Sequence, residues 1–475
     1  MTQTIDGVPL PKRYWAIATI ALGVTMAVMD STIANVALPT IANDLNADAS
    51  FSVWVVNGYQ LAITMSLLAL AGLGDNVGYR HIYLAGLALF TAASLACSLS
   101  HSLVALALAR VIQGFGAAGI MSVNTALVRF IYPHRLLGRG IGINALVVAI
   151  AAAAGPTLAS GILSVATWQW LFAVNVPIGI AACLIGTYAL PKTPRAPHQF
   201  DLLGASLTAA TFGFLIGGIE AAGHGEQGLL FAAEMIVAAA LSVVLVRREL
   251  ARPAPLLPVD LLRIPIFALS ICTSILAFAA QMLVFVALPF HLQRKFGFSA
   301  VETGLLITPW PLALAVTAPV AGRLADRFPA GLLGALGLTL LSAGLLALVF
   351  LPQHPDFADV SWRMAASGMG FGIFLSPNSR AIMTTAPRNR SGGASGVMGS
   401  ARLLGQTTGA ALVALLLGRV PTRATTVALC IGAGLAAVAA VVSASRLLGG
   451  PSAGTPHPLL AERDGNKAVE TSTKL

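Results

Sequence analysis

Charged side chains are scarce in this chain: 28 Lys and Arg and 18 Asp and Glu among 475 residues, or 10%. Soluble domains carry about 25%, so the shortage excludes an ordinary globular fold, whose surface needs such groups. Cysteine is nearly absent. Cys97, Cys183, Cys272 and Cys430 lie far apart with no Cys-x-x-Cys spacing, which argues against a disulfide framework or a thiolate metal site and makes each a small interior residue. The apolar stretches also lack His/Glu metal spacing and any nucleophile constellation. No metal, no cofactor and no enzymatic chemistry are therefore expected. The N-terminus lacks the short apolar segment and small-residue cleavage site of a signal peptide; its first apolar stretch reads as a permanent helix.

What fills the chain instead is hydrocarbon. Hydrophobic residues make up 57% and the mean hydropathy is +0.83. A helix of about 20 apolar residues spans a bilayer, and fourteen runs of helix length meet that description: 14–37, 51–73, 82–100, 103–128, 138–163, 168–190, 204–222, 229–247, 266–290, 301–321, 331–351, 360–386, 396–418 and 425–447. They are continuous, unlike the short alternating segments of a membrane β-barrel. The expected fold is all-α and integral to the membrane, with fourteen transmembrane helices.

The net charge of +10 does not call for a nucleic-acid partner once its placement is read. With both termini cytoplasmic, the inner connections hold eighteen Lys and Arg and the outer ones five, namely Arg294, Lys295, Arg363, Arg419 and Arg423. That bias sets topology.

The chain also repeats itself. Ala71-Gly72-Leu73-Gly74-Asp75 and Gly322-Arg323-Leu324-Ala325-Asp326 each close an apolar run and open a charged loop. A shift of 254 residues superposes Gly114 on Gly368, Gly116 on Gly370, Ser122 on Ser376, Asn124 on Asn378, Pro133 on Pro387, Gly138 on Gly392, Gly142 on Gly396 and Gly155 on Gly409. Eight matches at one shift make runs one to six the counterparts of runs nine to fourteen, with seven and eight inserted. The expected organisation is a six-helix bundle at 12–190, linkers and an inserted pair at 191–263, a second six-helix bundle at 264–447, and a disordered cytoplasmic tail at 448–475. Paired bundles with a site where they meet near the midplane are a transporter architecture.

Two carboxylates lie clearly within runs, Asp30 and Glu234. A charge at such depth costs several kcal/mol unless paired or hydrated, by the general estimate of about 2.5–3.5 kcal/mol or more, which makes each a functional candidate. Asp30 reads either as a proton carrier or as a structural carboxylate held by hydroxyls or an arginine. Arg110 sits at a matching depth, roughly 10 Å in from the same face at 1.5 Å per residue, so the two can meet directly or through Gln113; packing of Arg110 against backbone carbonyls is the other reading. Glu234, on the inserted pair, reads as locally bonded or turned to the membrane surface. Asp75 and Asp326, with Arg323 and Arg327 beside the second, read as helix-latching loops or static caps. Gly142, Gly155 and Pro156 allow close approach and a bend along one helix. Met26, Met29, Asn57, Gln60, Gln113, Gln281 and Trp310 at mid-depth, with Arg402 and Gln406 one turn apart nearer the inside, can line a cavity or pack between helices.

These residues resemble a family. Asp30 to Pro39, Leu73 to Arg80, Arg110 to Gly116, Gly155-Pro156 and Trp168 to Pro177 are similar to the motifs of the major facilitator superfamily, in its fourteen-helix drug:proton antiporter branch. The resemblance covers residues 12 to 447. It implies that Asp30 and Arg110 take part in proton coupling, that Asp75 and Arg80 form an inner-face latch, and that the Gly155-Pro156 helix marks an antiporter. Ala71, Asn76 and Tyr79 depart from the usual latch, Ala159-Ser160 from the usual glycine pair, and Gln169 from the usual arginine. The implied function is multidrug-type efflux: proton-coupled export of amphipathic, in some cases cationic, organic compounds by alternating access. A metabolite exporter or proton-independent facilitator shares the fold. The implied setting is a multi-pass protein of a bacterial inner membrane, whose partners are a small-molecule substrate, protons and lipid, working as a monomer.

Overall fold

The computed structural model describes residues 7–133, 136–193, 201–221, 228–251, 259–386 and 391–447. The segments at 194–200 and 252–258, which hold most of the two proline-rich linkers, and the tail at 448–475 lie outside the described residues. Within them the regular structure is helical and no strand occurs.

The helices in chain order are α1 (Lys12–Asp44), α2 (Ala49–Ser52), α3 (Trp54–Val77), α4 (Tyr79–Ser98), α5 (Leu103–Ile131), α6 (Leu137–Val165), α7 (Trp170–Ala173), α8 (Asn175–Ala189), α9 (Leu202–Ala221), α10 (Gly228–Ala251), α11 (Pro265–Arg294), α12 (Ala300–Ile307), α13 (Pro309–Leu324), α14 (Ala330–Val349), α15 (Phe357–Thr385), α16 (Ser391–Arg419) and α17 (Ala424–Ser445). Every one of the fourteen apolar runs is helix. Several helices outrun their apolar stretch, α1 by seven residues at its end, because backbone hydrogen bonding continues where hydrophobicity stops. Three runs are broken within. Run 301–321 divides into α12 and α13 at Thr308, where Pro309 opens the new helix without needing an amide donor. Short α2 and α7 likewise precede α3 and α8.

Local chemistry sets the ends. Ser299 and Glu302 form a reciprocal capping box at the start of α12, and Asp356 and Asp359 another at α15. Gly78, at φ +104°, turns the chain from α3 into α4, a conformation that L side chains avoid.

Eleven described segments are long and apolar enough to cross a membrane, and the outer faces agree with lipid as their solvent. Leu108, Leu184, Val316, Leu336 and Val441 are exposed, a density of bare apolar surface that water would not tolerate. Cys272 and Cys430 are also exposed, Cys97 is buried, and all four thiols are free. Two of the four cysteines are thus peripheral rather than interior.

The repeat seen in the glycines has a physical cause. α5 packs on α3 and α4, and α15 packs on α13 and α14. A methyl group on Gly116 would stand 2.8 Å from the carbonyl oxygen of Gly86, and one on Gly370 2.6 Å from that of Gly337. Equivalent glycines therefore set equivalent backbone approaches. The helices α9 and α10 pack on each other, and α9 touches both α3 and α16.

The apolar interior is not uniform along the bundle. One large cluster joins Ile33, Leu38 and Ile41 of α1 to Leu283, Leu288 and Leu292 of α11, with Phe172 and Phe371. A second, built mainly from α1, α4 and α5, and a small third around Phe267, Ile271 and Ile382 lie apart toward the end that carries the Asp75 and Asp326 loops. The two repeats share one large apolar cluster at one end, whereas at the other each has its own, joined across the repeats by Leu403 of α16.

Overpacking in such contacts costs about 1–3 kcal/mol. Gly370→Ala is expected to lower the thermal unfolding temperature of the purified protein by several degrees. Gly434→Ala, where an added methyl group meets nothing within 4 Å, should leave it unchanged.

Candidate functional site

Asp30 lies mid-helix on α1 and is 3% exposed. A carboxylate in that position needs donors, and two other helices supply three of them. Arg110 of α5 forms an ion pair with Oδ2 through Nη1, while Gln113 Nε2 (3.0 Å) and Asn175 Nδ2 (3.1 Å) donate to Oδ1. Arg110 and Gln113 are three residues apart and share a helix face; Asn175 opens α8. The matched depth of Asp30 and Arg110 is thus a direct contact.

The arginine is held by further contacts at Nε, Nη1 and its face, while its Nη2 has no hydrogen-bond partner among the described residues. Its Nε donates to the carbonyl of Val55 at 2.7 Å and its Nη1 also to Gln113 Oε1 at 2.6 Å. The guanidinium carbon lies 4.1 Å from the centre of the Tyr59 ring and 5.5 Å from that of Phe172, distances at which an aromatic face attracts a cation. Gln113 donates in addition to Ser94 Oγ at 2.8 Å and accepts from the Cys97 thiol at 3.6 Å. The pair and its three amide and hydroxyl neighbours, Gln113, Asn175 and Ser94, are all buried.

Ser94, Asn175 and Tyr59 escape a reading based on charge and polarity. Ser94 donates to the carbonyl of Phe90 in its own helix at 2.7 Å, as most membrane serines do. Asn175 belongs to the Trp168-to-Pro177 motif, which was the signal available. Tyr59 is hidden by its more polar neighbour Gln60.

Beside this network lies a narrow crevice of about 260 Å³ counted with the open solvent at its mouth, whose enclosed part has room for about one water. Its walls come from α1, α3, α5 and α16, and the polar groups on them are Ser31, Tyr59, Gln60, Arg402 and Gln406. The two repeats meet here, and just beyond, Thr64 and Thr407 bring their hydroxyls to 3.3 Å. Gln60 of α3 and Arg402 and Gln406 of α16 share this wall, although the sequence placed Gln60 at mid-depth and the other two nearer the inside. Gln113 belongs to the ion-pair network instead. Met26, Asn57 and Trp310 are buried in packed interior at 3%, 0% and 0% exposure; Met29 and Gln281 are half-buried. None of these five lines the cavity. A second void of about 280 Å³ between α1, α5 and α6 is almost wholly apolar, with Asn144 its main polar group.

The loops divide differently from the expected latch. Tyr79 donates its hydroxyl to Asp75, and its amide nitrogen bonds Thr193 Oγ1 at 2.9 Å, while Arg80 reaches the carbonyl of Thr187 on α8. Arg80 bonds that carbonyl and forms no ion pair with Asp75. In the second repeat Asp326 pairs with Arg380 at the end of α15, not with its neighbours Arg323 and Arg327. At the 254-residue shift Arg380 falls on Ala126, so the first repeat has no such partner to offer. Gly142, Gly155 and Pro156 lie along α6. A methyl group on Gly155 would collide with Thr32 of α1, and α12 crosses the Pro156 carbonyl at Gly304, where a methyl would sit 2.7 Å away. The helix is wedged between the repeats. Glu234 of α10 faces Gly217 and Gly218 of α9.

A family model, the Major Facilitator Superfamily, matches residues 20–410 and 269–469. The chain belongs to the Major Facilitator Superfamily. It is a multi-pass membrane transporter, not an enzyme. It is 56% identical over 444 residues, 93% of its length and 97% of the other's, to the uncharacterized transporter YebQ of Escherichia coli (strain K12). It is 32% identical over 86% of its length and 77% of the other's to the tetracenomycin C resistance and export protein of Streptomyces glaucescens. A crystal structure of the peptide transporter POT superposes with a TM-score of 0.71 at 14% identity, covering 92% of this chain and 94% of that one, which establishes a shared fold.

Removing one member of a buried pair leaves the other charged and unmatched, at about 3–5 kcal/mol. Arg110→Ala should therefore unfold at a markedly lower temperature than wild type in detergent. Asp30→Asn combined with Arg110→Gln should recover most of that loss, and equal destabilisation of the single and double variants would refute the pairing.

Proposed function

We propose that this transporter is a proton-coupled antiporter that exports amphipathic organic molecules by alternating access, with Asp30 carrying the proton. The single observation behind this reading is the buried Asp30–Arg110 pair. Buried pairs are weak sources of stability, because desolvation nearly cancels attraction, so a pair of this kind is well suited to being broken and remade. Protonating Asp30 removes its charge and with it the attraction for Arg110. Helices α1, α3, α5 and α8 then lose the tie that holds them to one arrangement, and the equilibrium between two packings shifts.

In this reading α9, α10 and α15 complete the fourteen crossings. Two six-helix bundles, 12–190 and 264–447, rock against each other with the α9–α10 pair inserted between them, and the chain works as a monomer. The Asp75 and Asp326 loops face the cytoplasm of a bacterium, as the basic excess on that side favours, and both termini lie there in the inner membrane. The arrangement with one fused end and one divided end is then closed to the outside. The Asp326–Arg380 pair and the Tyr79–Asp75 bond, each within one repeat and present in this arrangement, hold the cytoplasmic loops to their own bundles while the bundles rock. The similarity to a resistance and export protein supports outward movement of an organic compound.

Purified protein in liposomes with an interior pH dye tests this. Wild type is expected to move protons when a substrate gradient is imposed. Asp30→Asn should remain folded and inserted yet lose that coupling by about a hundredfold or to background, the scale on which a proton-transfer group acts. Flux that persists without a pH gradient, or undiminished coupling in the variant, would favour a facilitator.

A further inference from the structure

The cavity between the repeats contains a cation with which no acid among the described residues pairs. Arg402 of α16 is half-buried on its wall. Its Nε is buried without a hydrogen-bond partner, and no ion pair reaches the side chain among the described residues; its one recorded contact is with the Phe278 ring, 5.7 Å from the guanidinium carbon to the ring centre. Arg363 and Arg446 leave their Nε unbonded too, so what sets Arg402 apart is the lack of acceptors at its terminal nitrogens. Arg446, 9% exposed, also lacks a carboxylate, but its terminal nitrogens donate to Ser270, Asn378, Thr273 and Ser443 at 2.8–3.4 Å. Arg402 has no such set of acceptors.

The remaining polar lining is neutral: Ser31, Tyr59, Gln60 and Gln406. Asp30, one residue from Ser31, contributes no free negative charge, because Arg110, Gln113 and Asn175 occupy its oxygens. The cavity therefore carries a single net positive charge, framed by Val28, Ile63, Met121 and Leu403. A second cation placed there would meet repulsion strengthened by the low dielectric. A planar carboxylate would take the guanidinium's parallel donors while its apolar body lay on the hydrocarbon walls.

We infer that the transported compound is an amphipathic anion, an aromatic or polycyclic body bearing a carboxylate or comparable acid, and that Arg402 binds the acid. This rests on the exporter reading and specifies its substrate class. It also reverses the allowance for a cation made from the sequence, where Asp30 was the evident charge at depth.

The test is equilibrium binding, followed by fluorescence polarisation with purified protein and no pH gradient, of three probes on one body: anthracene-2-carboxylate, its primary amide, and 2-(aminomethyl)anthracene. Wild type should bind the carboxylate about tenfold or more tighter than the amide, the scale of one charge-assisted contact, and the amine most weakly. Arg402→Gln should reduce the carboxylate to the affinity of the amide while leaving the amide unchanged, and Arg402→Lys should keep part of the preference. Gel filtration and thermal unfolding report that both variants remain folded. Binding of the amine as tight as the carboxylate, failure of the carboxylate to bind, or an equal loss of all three probes in Arg402→Gln would overturn the inference. Because no gradient is present, this binding readout is independent of transport: wild-type protein that selects the carboxylate here yet moves no protons in liposomes refutes antiport and leaves this assignment standing.

Discussion

A carboxylate and a guanidinium buried in a bundle that lies in lipid constrain everything around them. Neither ion can be left to water, so each donor and acceptor must be met by a side chain or carbonyl at fixed depth. Asp30 draws Arg110 and Gln113 from α5 and Asn175 from α8, and Arg110 in turn bonds the Val55 carbonyl at the start of α3. Four helices are registered against one another by a single cluster. The outer half of α1 is consequently positioned to present Ile33, Leu38 and Ile41 to α11, and the fused end of the molecule forms on that contact.

The second repeat solves the same packing problem without charge. At the 254-residue shift Arg110 corresponds to Met364 and Gln113 to Ser367, and aligning Pro39 of α1 with Pro289 of α11 places Ala280 opposite Asp30. Met364 and Ala280 are fully buried, and Ser367 returns its hydroxyl to the Arg363 carbonyl. Duplication thus preserved the glycine contacts that set helix spacing but not the ions. The asymmetry runs the other way on the next helix pair. Arg402 and Gln406 of α16 fall opposite Val148 and Ala152 of α6. One repeat keeps the buried ion pair and the other supplies a cation with no partner acid among the described residues, so under the proposed antiport the cavity has a proton-accepting side and a fixed positive side.

Much of this was legible in the residues. Length and hydropathy gave the runs, glycine coincidence gave the repeat, and counting residues inward gave the depth at which Asp30 and Arg110 meet. Azimuth was not legible. A helix that is apolar around its whole circumference offers no polar stripe to show which side faces its neighbours, which is why Met26, Asn57 and Trp310 share the cavity's depth but not its wall. The partners of Asp75 and Asp326 were obscure for another reason. Loop carboxylates take whichever donor the adjoining helix ends project: Tyr79, four residues on, is an uncharged donor that a search for ion pairs passes over, and Arg380 is 54 residues away in the chain.

Tyr59 joins the two sides of the site. Its ring lies 4.1 Å from the Arg110 guanidinium, it forms part of the cavity wall beside Gln60, and its hydroxyl is anchored to the Ala27 carbonyl of α1 at 2.8 Å. A ring held at one end by a hydrogen bond and attracted on its face by a cation has little freedom to tilt. When Asp30 is protonated in the proposed cycle, Arg110 loses its counter-charge and the force fixing the ring against it changes, while the anchor moves only if α1 moves. The proton's arrival is therefore felt in the cavity through the wall itself, without the substrate touching Asp30. Under that geometry proton and substrate need not compete for one carboxylate. They are coupled through the position of α1 and the ring fastened to it, which is how a fixed cation at Arg402 and a titrating acid at Asp30 can serve one exchange.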